Sequence, residues 1–428
     1  VRVLLISVTP LWHRRFGKAV VMAGIMTFLR EVVPPGELGV VTLSLDEEPD
    51  VALPELVEAV PKPSGLTRLA AMLLTLVAGR RSLQEAVYAS SSTARGVARA
   101  VERFAPDLIL CDTLRVGQFF LDGRVDPHGA RLLIYLDDLY SERYDAMLQV
   151  ASHRRDLKIN AIGNFGRMLP GPLARLLALR PVQHSLLKLE RDRISARERL
   201  APTVFERCLL VNNAEAALLR NVTGARNILT LKPFLPEPTA VARKFDGRAE
   251  FVFLGDLAVP HNEVSTYEFI THTLSALRES MPTVRLRVIG TSATPRLLEL
   301  AARHPDVVSV EGFVPDLDAV LSTCTALVAP LLFGSGVKLK VLEALGRGVP
   351  VVGTNFGVQG INVPPGAKYL VVLNDFNEYP SALHALTDVA INEAASREAY
   401  AFYRETYGTE VVRREYAQAL FASTSRNA

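Results

Sequence analysis

The sequence predicts an α/β protein built from two doubly wound domains, each a parallel sheet with helices on both faces. Apolar runs of four to eight residues alternate with helical stretches through both halves of the chain, the pattern of strands buried on both faces. With 428 residues, the chain is too long for one ordinary core at about 150 residues per domain. A proline cluster, Pro233, Pro236 and Pro238 in KPFLPEPTAVARKFDGR, separates the two alternating halves and reads as a linker. The expected division is a first domain over 1–232, a linker over 233–247, a second domain over 248–405 and a C-terminal helix over 406–428.

In the first half, VRVLLISV is a buried strand, a helix follows near 18–31, and LGVVTLSL is the next strand. Helices run through 66–103, and DLILCD and RLLIYLDD supply two more strands. From 142 to 207 the pattern is mostly helical and basic, before RCLLVNN returns to strand. In the second half, FVFLGDLAVPHNEVSTYEFITHTLSALRESMPTVRLRVIGTS reads as strand, glycine turn, long helix and a strand ending at Gly290. VVSVEGFVPDLDAVLSTCTALVAPL continues the alternation, and LVAPLLFGSGVKLKVLEALGRGVPVVGT is strand, loop, helix and strand. The final stretch, REAYAFYRETYGTEVVRREYAQALFA, is helical and amphipathic. It either crosses back to the first domain or simply ends the second.

Composition removes several function classes. The longest apolar stretch, LAAMLLTLVAG at 69–79, is bracketed by Arg68 and Arg80 and falls short of the ~18 residues of a membrane span. The first residues form a strand and lack the form of a signal peptide, so the expected location is the cytoplasm. Cys111, Cys208 and Cys324 each sit in an apolar run without CxxC spacing, which reads as reduced core thiols. No histidine pair has a metal-ligand spacing, so no metal is expected. A net charge of +3 gives no argument for nucleic acid. The charge is uneven, however: residues 151–207 hold twelve Lys and Arg against five Asp and Glu. That region could dock on anionic lipid at the inner face of a membrane, or present an ordinary solvated basic face.

The chemistry concentrates in the Gly-Ser-Gly loop. Gly334 and Gly336 flank Ser335, allow a tight turn and let a ligand approach the backbone. The loop runs through Val337 into a helix whose first N–H groups lack internal partners and favour an anion. Lys338 and Lys340 add mobile positive charge, so the loop suits a phosphate or diphosphate. At 100° per residue, Val337, Val341, Leu342, Ala344 and Leu345 share one arc, with Lys340, Glu343 and Arg347 opposite. Glu343 could then accept ribose hydroxyls, or these three residues could form a solvated face with ordinary i,i+3 and i,i+4 pairs. Neither GxGxxG nor GxxxxGK[ST] occurs, which argues against a dinucleotide enzyme and a P-loop NTPase.

These segments, in this order, resemble the family 4 glycosyltransferases, retaining enzymes of the GT-B fold that include bacterial polysaccharide and glycoconjugate types. LEALGRGVPVVGT matches the second half of that family's Glu-x7-Glu motif, with Glu343 as the second glutamate and Ser335 where the first would stand. A second departure follows the first strand of the second domain, where the family's Arg and Lys clamp the diphosphate. Here the chain offers Asp256, Leu257, His261 and Asn262. The resemblance implies two Rossmann-like domains flanking a cleft. The nucleotide-sugar donor would lie on the second domain and a glycan or glycoconjugate acceptor on the first. It implies donor contacts at Gly17, Gly290, Phe313 (within the Gly312–Asp316 stretch near the base), Gly334, Ser335, Gly336, Val337 and Glu343. His13, Arg14 and Arg15 fall where the family's loop nears sugar and phosphate, or else form a basic surface loop. Where the family often carries a strand-end histidine, this chain has Asp112 and Asp137, which either act on the acceptor and the reacting centre or cap the following helices. Lys338 and Lys340 complete the expected catalytic set, with no metal and no cofactor, since the nucleotide sugar is a substrate. Two rivals share the fold: a sugar-nucleotide epimerase and a catalytically silent subunit that binds a partner enzyme.

Overall fold

A computed structural model describes residues 1–9, 11, 17–43, 54–61, 63–79, 81–153, 179–238, 243–362, 364 and 366–422. The chain forms two compact units, Val1–Leu235 with Val412–Ala428, and Pro236–Val411.

The first unit is built on a seven-stranded sheet. Its strands are β1 (Val3–Ser7), β2 (Leu38–Thr42), β3 (Leu56–Ala59), β4 (Leu108–Asp112), β5 (Arg131–Asp137), β6 (Arg207–Leu210) and β7 (Ile228–Thr230). Their order is β3-β2-β1-β4-β5-β6-β7, and every pairing is parallel. All residues of β1, β2, β4 and β6 are buried, as expected of apolar strands covered by helices on both faces. Leu4, Ile6, Val41, Ile109, Phe119, Ile134 and Phe205 join one core cluster, each side chain contributing roughly 1.5–3 kcal/mol by leaving water.

The second unit repeats the plan with six strands: β8 (Glu250–Leu254), β9 (Arg285–Ile289), β10 (Val308–Gly312), β11 (Ala326–Ala329), β12 (Val351–Gly353) and β13 (Leu370–Val372). The order is β10-β9-β8-β11-β12-β13, again parallel throughout. The doubly wound architecture predicted from the alternating pattern is thus present twice. The edge strands β3, β7 and β13 are additional to those read from the sequence. An edge strand such as LVEA, exposed or half-buried along its length, carries no continuous apolar run to reveal it.

In both sheets the chain winds to one side and then crosses the starting strand to wind to the other. The reversal lies between β1 and β4 in the first sheet and between β8 and β11 in the second. Outside the carboxyl ends of the strands at such a reversal, helices diverge and leave a crevice that ligands occupy.

The proline-rich segment is not a free linker. Phe234 and Leu235 are buried in the first unit, with the Phe234 ring 6.0 Å from Phe28 and 5.6 Å from Tyr416. Beyond it, Arg243 donates to the carbonyls of Leu321 and Cys324 and to Asn392 Oδ1, strapping the segment onto the second unit. The C-terminal stretch forms two helices, Val389–Tyr407 and Thr409–Phe421, separated at Gly408. The end of the second belongs to the first unit: Tyr416 is fully buried 5.1 Å from Phe28, Lys232 pairs with Glu415 at 2.7 Å, and Arg207 donates to the carbonyls of Gln418 and Ala419.

Residues 154–178 of the basic stretch lie outside the described residues. In its described part, helix Arg180–Val204, Arg197 is buried inside the fold, while Arg191 and Arg193 are half-buried and Arg199 is exposed. Arg191 pairs with Asp145 at 2.9 Å, and Arg197 with Glu85 and Asp122 at 2.8 Å each. No helix among the described residues is long and apolar enough to cross a membrane.

Candidate active site

At the reversal between β8 and β11 the second sheet gathers residues from three segments. The first is the end of β8 and the turn after it. Gly255 N–H donates to Ile289 O at 3.0 Å, and a Cβ on Gly290 would run into the Gly255 carbonyl, so Gly290 lets the ends of β8 and β9 close on each other. Helix Pro260–Ser280 then begins, and its first turn presents His261 and Asn262. The third segment is the Gly-Ser-Gly loop after β11, leading into helix Leu339–Gly346. Gly336 has φ 72°, a left-handed conformation open to glycine at little cost.

Two lysines converge here, and neither is mobile. Lys338 is the buried residue immediately before the helix, not part of its exposed arc. Its Nζ donates to Ser335 O at 2.6 Å and Gly336 O at 2.8 Å, closing the loop on itself. Lys340 does not sit on a solvated face either. Its Nζ donates to Asn262 Oδ1 at 2.7 Å and lies 4.2 Å from the centre of the Phe253 ring on β8. Burial strips water from this ammonium and Lys338 repels it, so its pKa lies well below the ordinary lysine value of 10.5. Its partners among the described residues, Asn262 and the Phe253 ring, are uncharged, so an anion beside Nζ would favour the ammonium.

The remaining donor-side residues frame this centre. Val337 and Ser335 are half-buried in the loop, Val337 before the helix rather than on its apolar stripe. Glu343 is half-buried and paired with Arg347, which also holds Asp318 at 2.5 Å. The i,i+4 pair of the solvated-face alternative is therefore present. Phe313, directly after β10, is 76% exposed, an unusually open position for a large aromatic beside the Gly290–Gly312 bridge. The sequence reading left out Asn262 as a site residue. Its signal was the place itself, the first helical turn after the domain's first strand, where a charged clamp was expected and a neutral amide stands. His261 shares that turn, its ring 6.3 Å from Phe333 and edge-on to it.

In the first unit the reversal between β1 and β4 is filled by Asp112. This side chain is fully buried, accepts from Ser7 Oγ and Thr9 Oγ1 at 2.9 Å each, and pairs with Lys18 at 2.7 Å. Burial opposes its charge, but Lys18 and the hydroxyls prevail and hold the carboxyl below its ordinary range. Asp112 precedes helix Thr113–Leu121 without capping it through its side chain. Its carboxylate instead ties β1, β4 and the start of helix Gly17–Val32 together. Gly17 opens that helix, exposed, beside Lys18. His13, Arg14 and Arg15 lie outside the described residues.

Asp137 differs. It ends β5 half-buried, with φ 73° and its Oδ1 accepting from Tyr135 Oη at 3.0 Å. Burial and the neighbouring Asp138 raise its carboxyl to about 6. Thr113, at the end of adjacent β4, is also left-handed at φ 64°. Such conformations cost about 1–3 kcal/mol each in non-glycine residues and gather at functional sites. Asp138 is buried and paired with Arg143 at 2.6 Å. Helix Tyr140–His153 is received by carboxylates from elsewhere, Glu198 accepting from Ser141 N–H and Glu215 from Leu139 N–H.

Residues 248–388 match the family described as glycosyl transferases group 1. An uncharacterised 44.6 kDa protein of a cps region in Klebsiella pneumoniae is 24% identical over 183 residues, which are 40% of this chain and 45% of that protein. Two solved structures align along nearly the whole chain. Anabaena Alr3699/HepE, crystallised with UDP, aligns with TM-score 0.60 and 12% identity over 98% of this chain and 99% of its own. WaaG, described as a glycosyltransferase involved in lipopolysaccharide biosynthesis, aligns with TM-score 0.59 and 15% identity over 98% and 100%. At such identities the likeness shows the fold, which is GT-B. The chain thus has the GT-B fold, and residues 248–388 of its second unit are similar to the group 1 glycosyl transferases.

Proposed function

We propose that the protein transfers a sugar from a nucleoside diphosphate donor to a glycan or glycoconjugate acceptor, with retention and without a metal. The observation that supports this most is the meeting, at the β8–β11 reversal, of a glycine loop, a helix N-terminus and two lysines, one of them held by the neutral amide of Asn262. As the bond to the anomeric carbon breaks, negative charge grows on the departing diphosphate. Lys340 and the first N–H groups of helix Leu339–Gly346 would meet that charge. Lys338 would hold the loop in shape and add its field. Glu343 would accept the ribose hydroxyls, and the open ring of Phe313 would lie against the base. The family match over 248–388 and the UDP held by the Anabaena structure point the same way.

On the acceptor side we assign Asp137 as the carboxylate that orients the attacking hydroxyl, because it is half-exposed at a strained strand end. Asp112 would act one step back, holding the β1 end and Lys18 in place. A silent binding subunit is the second reading, favoured by Ser335, which offers no carboxylate to the sugar. Incubation with a panel of nucleotide sugars and glycan acceptors separates the two. A glycosylated product supports transfer, and binding without any turnover across the panel supports the silent subunit.

A further inference from the structure

We propose that Asn262 is a positioning residue which aims the Lys340 ammonium at the diphosphate of the donor. The inference rests on the reading that a nucleoside diphosphate binds at the β8–β11 reversal, and it names the device by which the cation is delivered there.

Lys340 belongs to helix Leu339–Gly346, yet its ammonium is carried across to the end of β8. A Cβ built on Gly255 would come within 2.9 Å of Nζ and 2.8 Å of Asn262 Nδ2. Two contacts hold it there, the Phe253 ring beneath and the Asn262 amide at its side. Asn262 is itself held. It is 5% exposed, and its Nδ2 donates to Asp256 O at 2.9 Å, which settles the amide with Oδ1 toward Lys340. An acceptor in this place could be a carboxylate, which would neutralise the lysine, or a neutral amide, which orients it and leaves its charge for a ligand. The chain has the amide. A lysine side chain has four rotatable bonds and several competing directions, so a single well-placed acceptor decides where its charge points.

The arrangement also leaves Lys340 easy to deprotonate. Burial first, and Lys338 second, lower its pKa. Nearby titratable groups on the surrounding elements are His261 beside Asn262 and Asp256 just after β8, whose Oδ1 accepts from Ala258 N–H and Thr291 Oγ1, while Glu250, Glu263 and Glu343 pair with Arg287, Arg296 and Arg347. A bound diphosphate favours the ammonium, so nucleotide affinity falls as pH rises through the free-protein pKa of Lys340.

The experiment is isothermal titration of the full chain with UDP, inorganic pyrophosphate and uridine from pH 6.5 to 9.5. Wild type is compared with Asn262→Ala, Asn262→Asp and Lys340→Met. Asn262→Ala should lose roughly ten- to a hundredfold in UDP and pyrophosphate affinity, the range for a hydrogen bond to a charged group, with uridine binding unchanged. Asn262→Asp, nearly isosteric, should weaken UDP at neutral pH and move the alkaline decline to higher pH, because a carboxylate keeps Lys340 protonated while consuming its charge. The proposal is overturned if Asn262→Ala binds UDP as wild type does, or loses uridine and UDP alike. It is equally overturned if Asn262→Asp leaves the pH profile in place, a readout that survives should the alanine variant not fold. Wild-type UDP affinity in Lys340→Met would instead overturn the diphosphate reading itself.

Discussion

Lysine, aspartate and glutamate at the candidate positions of each unit are distinguished by their surroundings more than by their type. Asp112 and Asp137 both end parallel strands, yet one is saturated by donors and held below its ordinary range while the other is raised to about 6. If Asp137 orients the acceptor, transfer should fall as pH drops through about 6, because protonation removes the acceptor lone pair it uses. Asp137→Asn should lower the rate and remove that acid limb. The stability effect runs the other way. The folded pKa of Asp137 lies above its unfolded value of 3.8, so the folded state binds the extra proton and the side chain destabilises the fold increasingly as pH rises from about 4 to 6. Thermal denaturation of Asp137→Asn should therefore give a higher midpoint than wild type at pH 7 and the same midpoint near pH 3. Asparagine also tolerates the left-handed backbone. On the donor side, Glu343→Gln should weaken UDP binding by about 1.5–3 kcal/mol with little loss of stability, since its one described ionic partner, Arg347, keeps Asp318. Equal UDP affinity in titration would remove Glu343 from the ribose.

Among the elements, the loop after β11 and the C-terminal helix carry sharp consequences. Gly336 stands at φ 72°, so Gly336→Ala strains the loop at the place where its carbonyl receives Lys338. The expected result is a drop in UDP affinity larger than the drop in melting temperature, read by titration and calorimetry on one sample. The C-terminal helix is a structural part of the first unit. Tyr416 is buried between Phe28 and Phe234, and Tyr416→Ala should cost about 3–5 kcal/mol by leaving a cavity. Denaturant unfolding measures it, and a cost below about 1 kcal/mol would mean that the helix is dispensable to that core.

For the whole molecule, the winding reverses beside the first strand of both sheets, and each reversal holds a lysine with a polar partner: Lys18–Asp112 in one and Lys340–Asn262 in the other. Saturating UDP at a hundred times its dissociation constant should stabilise the unit that binds it by about 2.7 kcal/mol. Hydrogen exchange should place the protection on β8, the loop after β11 and the first turn of helix Leu339–Gly346. Protection confined to the first unit would contradict the donor assignment.

The two doubly wound domains, most of their strands and the Gly-Ser-Gly loop were legible in the sequence, because burial on both faces demands unbroken apolar runs and a tight turn demands glycine. Edge strands such as Leu56–Ala59 were not, since half-exposed positions accept polar residues and leave no run. The boundary between the units, Leu235 to Pro236, falls inside the expected linker, but the sequence does not say where the flanking residues pack. Prolines mark a break in regular structure, yet Phe234 and Arg243 bind their segments to opposite units, and only packing partners far along the chain show it. At the site, helical periodicity put Lys340 on an outward arc with Glu343. That angle is correct about the helix axis, but it cannot say what lies outside the helix. For Lys340 it is β8 and Asn262, 78 residues earlier in the chain. Local pattern determined which residues could form strands, turns and helices. Long-range contact alone decided which charges are paired inside the fold, as at Asp112, and which meet a neutral acceptor, as at Lys340.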